Sequence, residues 1–475
     1  VEFDAALVEI LKNALVEAPY EVHVDLHRRI SMDWAMSISE KIRTADVVIV
    51  LASDQTAGSE MLDYELEIAN DAKLKNGSMK MMLVPLGDES AANRNGMPLL
   101  GGHQTRVWAG DEDSDALIAE ILEIVEGPAQ ISPTGVLVGE SGGGISSQSG
   151  FYVEREADPK LRSCVIQEEP TTLIRGPRQT GKTSLLAKGI RIVQEQGWQT
   201  CVTDFQRMGS NLYRGEADFY QTLMATLARQ LESEYGLKFD WSWEPAFAPT
   251  SNLNEFVVNM ISATPTRVVW FMDEADALFT TSFADSFFAL VRSWHNARAF
   301  SMDEIWSRFS VVIVYATEAH LFIQDINRSP FNVGQRIDLD AFTLRQVEDL
   351  NQQYGSPLRG IDQVVALQDL LEGQPFLTRA AFDHFAKGGG NLRTLLASAD
   401  QDDGPFGDHL RRLLVAVTQL SNVRETIKKV LANSFVPASD EVSRLVSAGI
   451  VVPNSSGNHV FRCKLYRRYL ESHLK

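Results

Sequence analysis

Apolar positions recur along this chain at two spacings. From Ala5 to Val16, Leu7, Leu11 and Leu15 fall on one helical stripe, and Trp34, Ile38 and Ile42 do the same between Trp34 and Thr44. Glu60–Leu74 and Asp115–Val125 read as further helices. Tyr20 to Asp25 alternates apolar and polar, which predicts a strand. Val47 to Leu51 is continuously apolar, as in a strand covered on both faces. Met79–Leu86 is another strand and Gln104–Trp108 a weak one. Residues 1–126 therefore predict a parallel α/β sheet with helices on both faces.

Pro128, Pro133, the glycines at 142–144 and neighbouring serines mark 127–150 as a flexible linker. A second α/β pattern fills 151–345. Its strands are expected at Thr171–Ile174, Trp198–Phe205, Arg267–Met272 and Phe309–Ala316, and its helices at Leu185–Val193, Glu216–Glu232, Leu253–Ile261 and Phe283–Ala299. Helices at Gln346–Gln353, Val364–Leu371 and Phe376–Ala386 suggest a helical subdomain over 346–410. In 411–475 a helix at Val442–Ala448, a strand at Gly449–Val452, a turn at Asn454–Asn458 and a return strand at Val460–Arg462 predict a winged helix.

The strand at Thr171 runs into Gly176-Pro177-Arg178-Gln179-Thr180-Gly181-Lys182-Thr183-Ser184, which fits G-x-x-x-x-G-K-[ST] between a strand and a helix. The two glycines open backbone angles that let successive N–H groups converge on an anion, and the helix start adds its dipole. Lys182 is expected on the β and γ phosphates of ATP or ADP, and Thr183 on Mg²⁺. The run Arg267–Met272 delivers Asp273 and Glu274 at its end. Asp273 is expected to orient the Mg²⁺ shell and Glu274 to polarise an attacking water. Thr317, at the next strand's end, is placed to sense the γ phosphate. Arg328 is a candidate arginine finger or an ordinary surface arginine.

Composition narrows the class. The 475 residues are 44% hydrophobic and 23% charged, as in globular proteins of two to four domains. Cys164, Cys201 and Cys463 lie far apart without metal spacing, which fits a reduced cytoplasmic setting. No apolar run reaches ~18 residues, so no membrane span is expected. Net charge is −19, with 10 basic and 24 acidic side chains in 1–126 but 11 basic and 4 acidic in 411–475. The acidic bulk argues against general nucleic-acid binding. The basic last helix, with Lys464, Arg467, Arg468 and Lys475, keeps a local nucleic-acid contact open.

Glu65 stands among Met61, Leu62, Ile68, Ala69 and Ala72 on its helix, whereas Glu67 has Asp63, Tyr64, Asn70 and Asp71 around it. A carboxylate on an apolar stripe is paired, protonated, functional or snorkelling to water.

The segments Ala45–Ser53 and Ser59–Leu66 resemble the core of a TIR domain, with Trp34–Ile42 as its second helix and His27–Asp33 in place of its BB loop. Members that cleave NAD⁺ hold a glutamate where Glu65 stands. The resemblance therefore implies a catalytic role for Glu65 and NAD⁺ as substrate, in sites completed when TIR domains meet. Two features depart from it. The family's first strand has no counterpart ahead of Ala5, so either upstream sequence precedes Val1 or the sheet is built differently. Many NAD⁺-cleaving relatives also carry Trp where Met61 stands.

The segment Phe151–Arg155 resembles the entry motif of STAND-type and AAA-like ATPases, which packs by the adenine; this adds Tyr152 and Arg155 to the nucleotide set. Glu372–Leu377 resembles the STAND G-x-P motif, implying that Pro375 contacts adenine. Many STAND proteins read the nucleotide with a His near the start of the last helix, where Cys463 and Lys464 stand here. The fold class expected is thus a flavodoxin-like TIR sheet followed by a P-loop α/β ATPase with a helical subdomain and a winged helix. The function implied is an ATP-switched, self-associating protein with a bacterial immune role and an unknown trigger. A non-enzymatic TIR scaffold and a DNA-gripping ATPase are the alternatives.

Overall fold

The computed structural model describes residues 2–17, 20–24, 32–52, 59–75, 79–86, 104–108, 110–126, 151–208, 215–300, 304–316, 330–419, 423–437 and 439–474 without 455. These form two compact units. One comprises 1–143, 398–424 and 468–475; the other comprises 144–397 and 425–467.

In the first unit the helices are α1 (Glu2–Glu17), α2 (Met32–Thr44), α3 (Glu60–Lys75) and α4 (Ser114–Glu126). The strands β1 (Val47–Ala52), β2 (Lys80–Pro85) and β3 (Gln104–Thr105) form a parallel sheet in that order, with Val47 opposite Lys80 and Met82 opposite Gln104. Strand β2 is buried on both faces, and its side chains divide by parity. Met82 and Val84 join Leu7, Leu11, Leu117 and Ile121 under α1 and α4. Met81 and Leu83 join Val50, Leu66 and Ala69 under α3. This two-sided cover explains why β1 and β2 read as continuous apolar runs. Residues 20–24, expected to begin a strand, carry no strand pairing. Alternation supplies two faces but no ladder partner, and among the described residues β1 pairs with β2 alone. His23 instead pairs with Glu21 at 3.3 Å.

The second unit holds a five-stranded parallel sheet. Its strands are β4 (Thr171–Arg175), β5 (Gln199–Asp204), β6 (Val268–Asp273), β7 (Phe309–Tyr315) and β8 (Gln335–Asp338), in spatial order β5-β6-β7-β4-β8. Every residue of β6 and β7 is buried. Trp270 and Met272 face a large aromatic core with α7 (Glu216–Tyr235), α8 (Pro249–Ala263) and α9 (Ala284–Phe300). Val269 and Phe271 face α5 (Ala157–Ile166) and α6 (Lys182–Glu195). Strand β8 gave no signal in the pattern because Ile337 is its one buried residue.

After the sheet come α10 (Leu344–Gln353), α11 (Ile361–Leu371), α12 (Pro375–Ala386) and α13 (Leu392–Ser398). Thr343 starts α10 with a capping box completed by Gln346. Then follow α14 (Gly407–Gln419), α15 (Val423–Leu431), α16 (Asp440–Ser447), the antiparallel strands β9 (Val451–Pro453) and β10 (His459–Phe461), and α17 (Lys464–His473). The expected linker at 127–150 lies outside the described residues.

Candidate functional site

Strand β4 lies inside the sheet, between β7 and β8, and its C-terminal end opens into the glycine loop. Gly176 has no room for a side chain. A Cβ there would come within 2.8 Å of Thr180 Oγ1 and 3.0 Å of Leu339 Cβ. Gly181 takes a left-handed φ of 86° before α6 begins at Lys182. Thr180 Oγ1 donates to Pro177 O at 2.8 Å, which closes the loop on itself. Lys182 is buried, and its Nζ donates to Pro177 O at 3.2 Å. Burial pushes the Lys182 ammonium down, against the pull of Glu274, Asp276 and Asp273.

Strand β6 is separated from β4 by β7, so its end lies one strand away from the loop. The distance is bridged by Thr183, whose Oγ1 donates to Asp273 Oδ2 at 3.0 Å. Asp273 is buried, and its other oxygen accepts the Glu274 N–H at 3.0 Å. Glu274 sits in the left-handed region at φ 49°. Burial raises the pKa of both carboxyls, Asp273 further so by the charge of Asp204 and Glu274 by those of Asp276 and Asp273. Asp276 fixes the end of β7 by accepting the Ala316 N–H at 2.9 Å. A serine or threonine hydroxyl beside a buried aspartate is the partial oxygen shell that Mg²⁺, which keeps waters and phosphate oxygens, takes from a protein.

Three further segments bear on the loop, directly or through another side chain. The first is 151–156. Tyr152 Oη donates to Asp158 Oδ1 at 2.6 Å, and Arg155 Nη1 donates to Thr180 O at 2.6 Å. The second is 342–375. The Arg155 guanidinium lies 5.5 Å from the Phe342 ring centroid, and Phe342 N donates to Gly373 O at 2.7 Å. Pro375, two residues on, is buried as the first residue of α12, whose start is capped by the Gln374 side chain on Leu377 N. Arg155 is thus linked through Phe342 to Gly373, two residues ahead of Pro375, while Asp158 holds both Tyr152 Oη and the Arg155 N–H.

The third segment is one that sequence reasoning passed over. Gly449, at φ 73°, brings the turn after α16 against the loop. A Cβ there would meet Pro177 Cβ at 3.4 Å, Arg178 O at 3.7 Å and Arg462 Nη1 at 3.7 Å. Arg462 is buried, and its Nε and Nη1 have no hydrogen-bond partner; Arg155 Nε is likewise unpartnered. Leaving such donors buried costs about 1–3 kcal/mol per group. Two guanidinium groups and Lys182 therefore converge on the glycine loop with donors to spare, which fits a polyphosphate. The sequence signal for Arg462 is its place directly before Cys463 and Lys464.

Of the other loop residues, Ser184 is buried, Arg178 is exposed and Gln179 takes a φ of 62°. Thr317 and Arg328 lie outside the described residues. In the first unit Glu65 is half-buried on α3, between buried Met61, Leu66, Ile68 and Ala69, whereas Glu67 is exposed. The adjacent Tyr64 Oη lies 3.2 Å from Ser39 Oγ of α2. The His27–Asp33 loop is outside the described residues except for the start of α2.

Residues 140–472 match the family described as AAA-like domain. The chain belongs to that family. Residues 2–122 match the TIR domain family, so a TIR domain is joined to an AAA-like P-loop ATPase module. An uncharacterized WD repeat-containing protein of Synechocystis is 26% identical over a segment covering 66% of this chain. The match spans only 28% of that relative's length. Two solved structures are also similar. The Walker-type ATPase of Pyrococcus abyssi is 15% identical, covering 67% of this chain and 96% of that one at a TM-score of 0.45. The ORC2 protein of Aeropyrum pernix, solved as ADPNP and ADP complexes, is 14% identical, covering 70% and 98% at a TM-score of 0.40. Among the described residues, no helix is long and apolar enough to cross a membrane.

Proposed function

We propose that this chain is a nucleotide-switched signalling protein whose TIR domain cleaves NAD⁺ at the nicotinamide–ribose bond when copies assemble. The observation that carries the switch is the convergence of Lys182, Arg155 and Arg462 on the glycine loop, which the Thr183–Asp273 pair adjoins.

In this reading Lys182 and the loop N–H groups hold the β and γ phosphates of ATP. Thr183 and Asp273 hold Mg²⁺, which when bound neutralises phosphate charge. Glu274 orients the attacking water. Arg462 reports from the C-terminal segment, read as a winged helix, whether phosphate is present. Pro375 and Tyr152 border the adenine. A nucleotide shifts the chain between states only through unequal affinity for them, about 10⁴-fold to move a population from 1:99 to 99:1.

In the TIR domain Glu65 faces the ribose. The C–N bond breaks, and nicotinamide leaves neutral with the bonding pair. The ionised Glu65 stabilises the cationic ribose before water adds and loses its proton. The test is ATP binding by the parent and Lys182→Ala, with NAD⁺ turnover by the parent, Glu65→Ala and Glu67→Ala. Equal loss in the two glutamate variants contradicts the role of Glu65. Failure of the parent to bind ATP contradicts the switch.

A non-enzymatic scaffold is the second reading. It is favoured by Met61, only 3% exposed where many NAD⁺-cleaving relatives carry Trp, and so unable to stack on a base. A DNA grip draws less support. Lys464 pairs with Asp369 at 2.5 Å, and Arg467 donates to Asn433 Oδ1 and Leu431 O. Self-association and a cytoplasmic setting belong to the same proposal, and the trigger is unassigned.

A further inference from the structure

Helix α14 belongs to two modules at once. By sequence it falls inside the AAA-like match at 140–472, and the TIR match ends at residue 122. In space it packs along α2 and α3 and groups with the TIR unit.

The contact is chemically specific. Asp408 caps α3 from outside, its carboxylate accepting from Ser59 Oγ at 2.9 Å, Glu60 N at 2.7 Å and Met61 N at 3.4 Å. A carboxylate at a helix start satisfies orphan N–H groups and complements the dipole. Glu60 answers in the other direction. Its Oε2 lies 3.1 Å from His409 Nδ1 and accepts from Arg412 Nη1 at 3.2 Å. Leu410, Leu414 and Val417, at helical spacing on α14, are buried, as are Ala35, Ile38 and Ser39 on α2. The helix that receives this grip is the one that carries Glu65.

The far side of α14 is tied down as well. Arg411 Nη1 donates to Asp402 O at 2.5 Å. The Asp402 carboxylate accepts from Tyr469 Oη at 2.9 Å and lies 3.5 Å from His473 Nε2. Tyr469 and His473 are on α17, which begins two residues after Arg462. Along the chain, one helix thus leads from the arginine at the glycine loop to the anchor of α14.

We propose that α14 is an intramolecular ligand of the TIR α2–α3 face, through which the nucleotide state of the ATPase module is passed to α3. Asp408, His409 and Arg412 form its grip, and loosening it frees the first turn of the helix bearing Glu65. This rests on nucleotide binding at the glycine loop, but not on NAD⁺ cleavage.

The test is amide exchange on the full chain, read at residues 60–66, with and without Mg-ATP, alongside a direct measurement of ATP binding. In the parent, ATP is expected to change exchange there several-fold. Arg412→Glu is expected to speed exchange in this turn roughly ten- to a hundredfold, as for loss of a charged hydrogen bond in a local opening. It also removes the ATP response while ATP still binds. The exchange Glu60→Arg with Arg412→Glu restores both protection and response. If the parent binds ATP and residues 60–66 do not respond, the proposal is overturned. It is equally overturned if Arg412→Glu responds as the parent does, or if the charge exchange fails to restore the response. A parent that binds no ATP would instead contradict the nucleotide reading itself.

Discussion

Thr183 and Asp273 stand 90 positions apart and share a hydrogen bond of 3.0 Å. One opens the helix after the glycine loop and the other ends a strand separated from that loop by β7. The bond is the point at which two halves of the ATPase-type sheet are set for one task. Asp273→Asn keeps the volume and one hydrogen bond but removes the charge. It is expected to leave ATP affinity in EDTA unchanged and to abolish the gain in affinity on adding Mg²⁺. Calorimetry with and without the cation checks this.

Lys182 is 4% exposed, so its ammonium is held against the loop rather than in water. Lys182→Ala is expected to weaken ATP binding by roughly a hundredfold or more, in the range of a lost buried charge-assisted contact. Fluorescent-nucleotide titration measures it. Unchanged affinity places the nucleotide elsewhere.

Arg462 supplies two buried donors without partners. Arg462→Ala is expected to weaken ATP or ADP binding about tenfold or more and to change the ratio between the two nucleotides. Arg462→Lys should recover part of the affinity. Loss of stability without any change in the nucleotide ratio would make Arg462 a packing residue.

Glu60 gives a signature in pH. Burial alone pushes its carboxyl up, but His409 and Arg412 outweigh burial and hold it at about 2. A pKa lower in the folded state gives stability that is complete above the ordinary carboxylate range near 4.5 and is lost as pH falls toward 2. The amount is roughly 3 kcal/mol. Unfolding of the first unit is expected to show this loss below about pH 4.5, and Glu60→Gln should flatten it. An identical acid profile in Glu60→Gln would contradict the pairing.

The parts legible in the sequence were those in which neighbouring residues decide the outcome. The glycine loop, the continuous apolar strands β1, β2, β6 and β7, and the apolar stripe around Glu65 are local patterns. Strand β8 was missed because only Ile337 in it is buried, so pairing with β4 defines it. Residues 20–24 failed in the opposite way, having alternation without a strand partner among the described residues. Arg462 and the Asp408 cap were illegible for a third reason. Gly449 and Pro177 meet across more than 250 positions, and Asp408 reaches Glu60 across 348. No spacing rule links such distant residues.

Glu65 and Glu67 separate the enzymatic reading from the scaffold. Glu65→Ala is expected to abolish NAD⁺ turnover by assembled protein, and Glu67→Ala, on the exposed side of α3, to leave it within about twofold. Product formation by chromatography reads both.

In the proposed switch, a nucleotide held at Lys182 governs the state of the TIR domain. The most direct test of the switch is the particle mass of the full chain and of Lys182→Ala, each with and without Mg-ATP, with NAD⁺ consumption measured on every species. A nucleotide-dependent rise in mass with NAD⁺ consumption is expected in the parent, and neither in Lys182→Ala. A Lys182→Ala chain that assembles and consumes NAD⁺ as the parent does would contradict the switch.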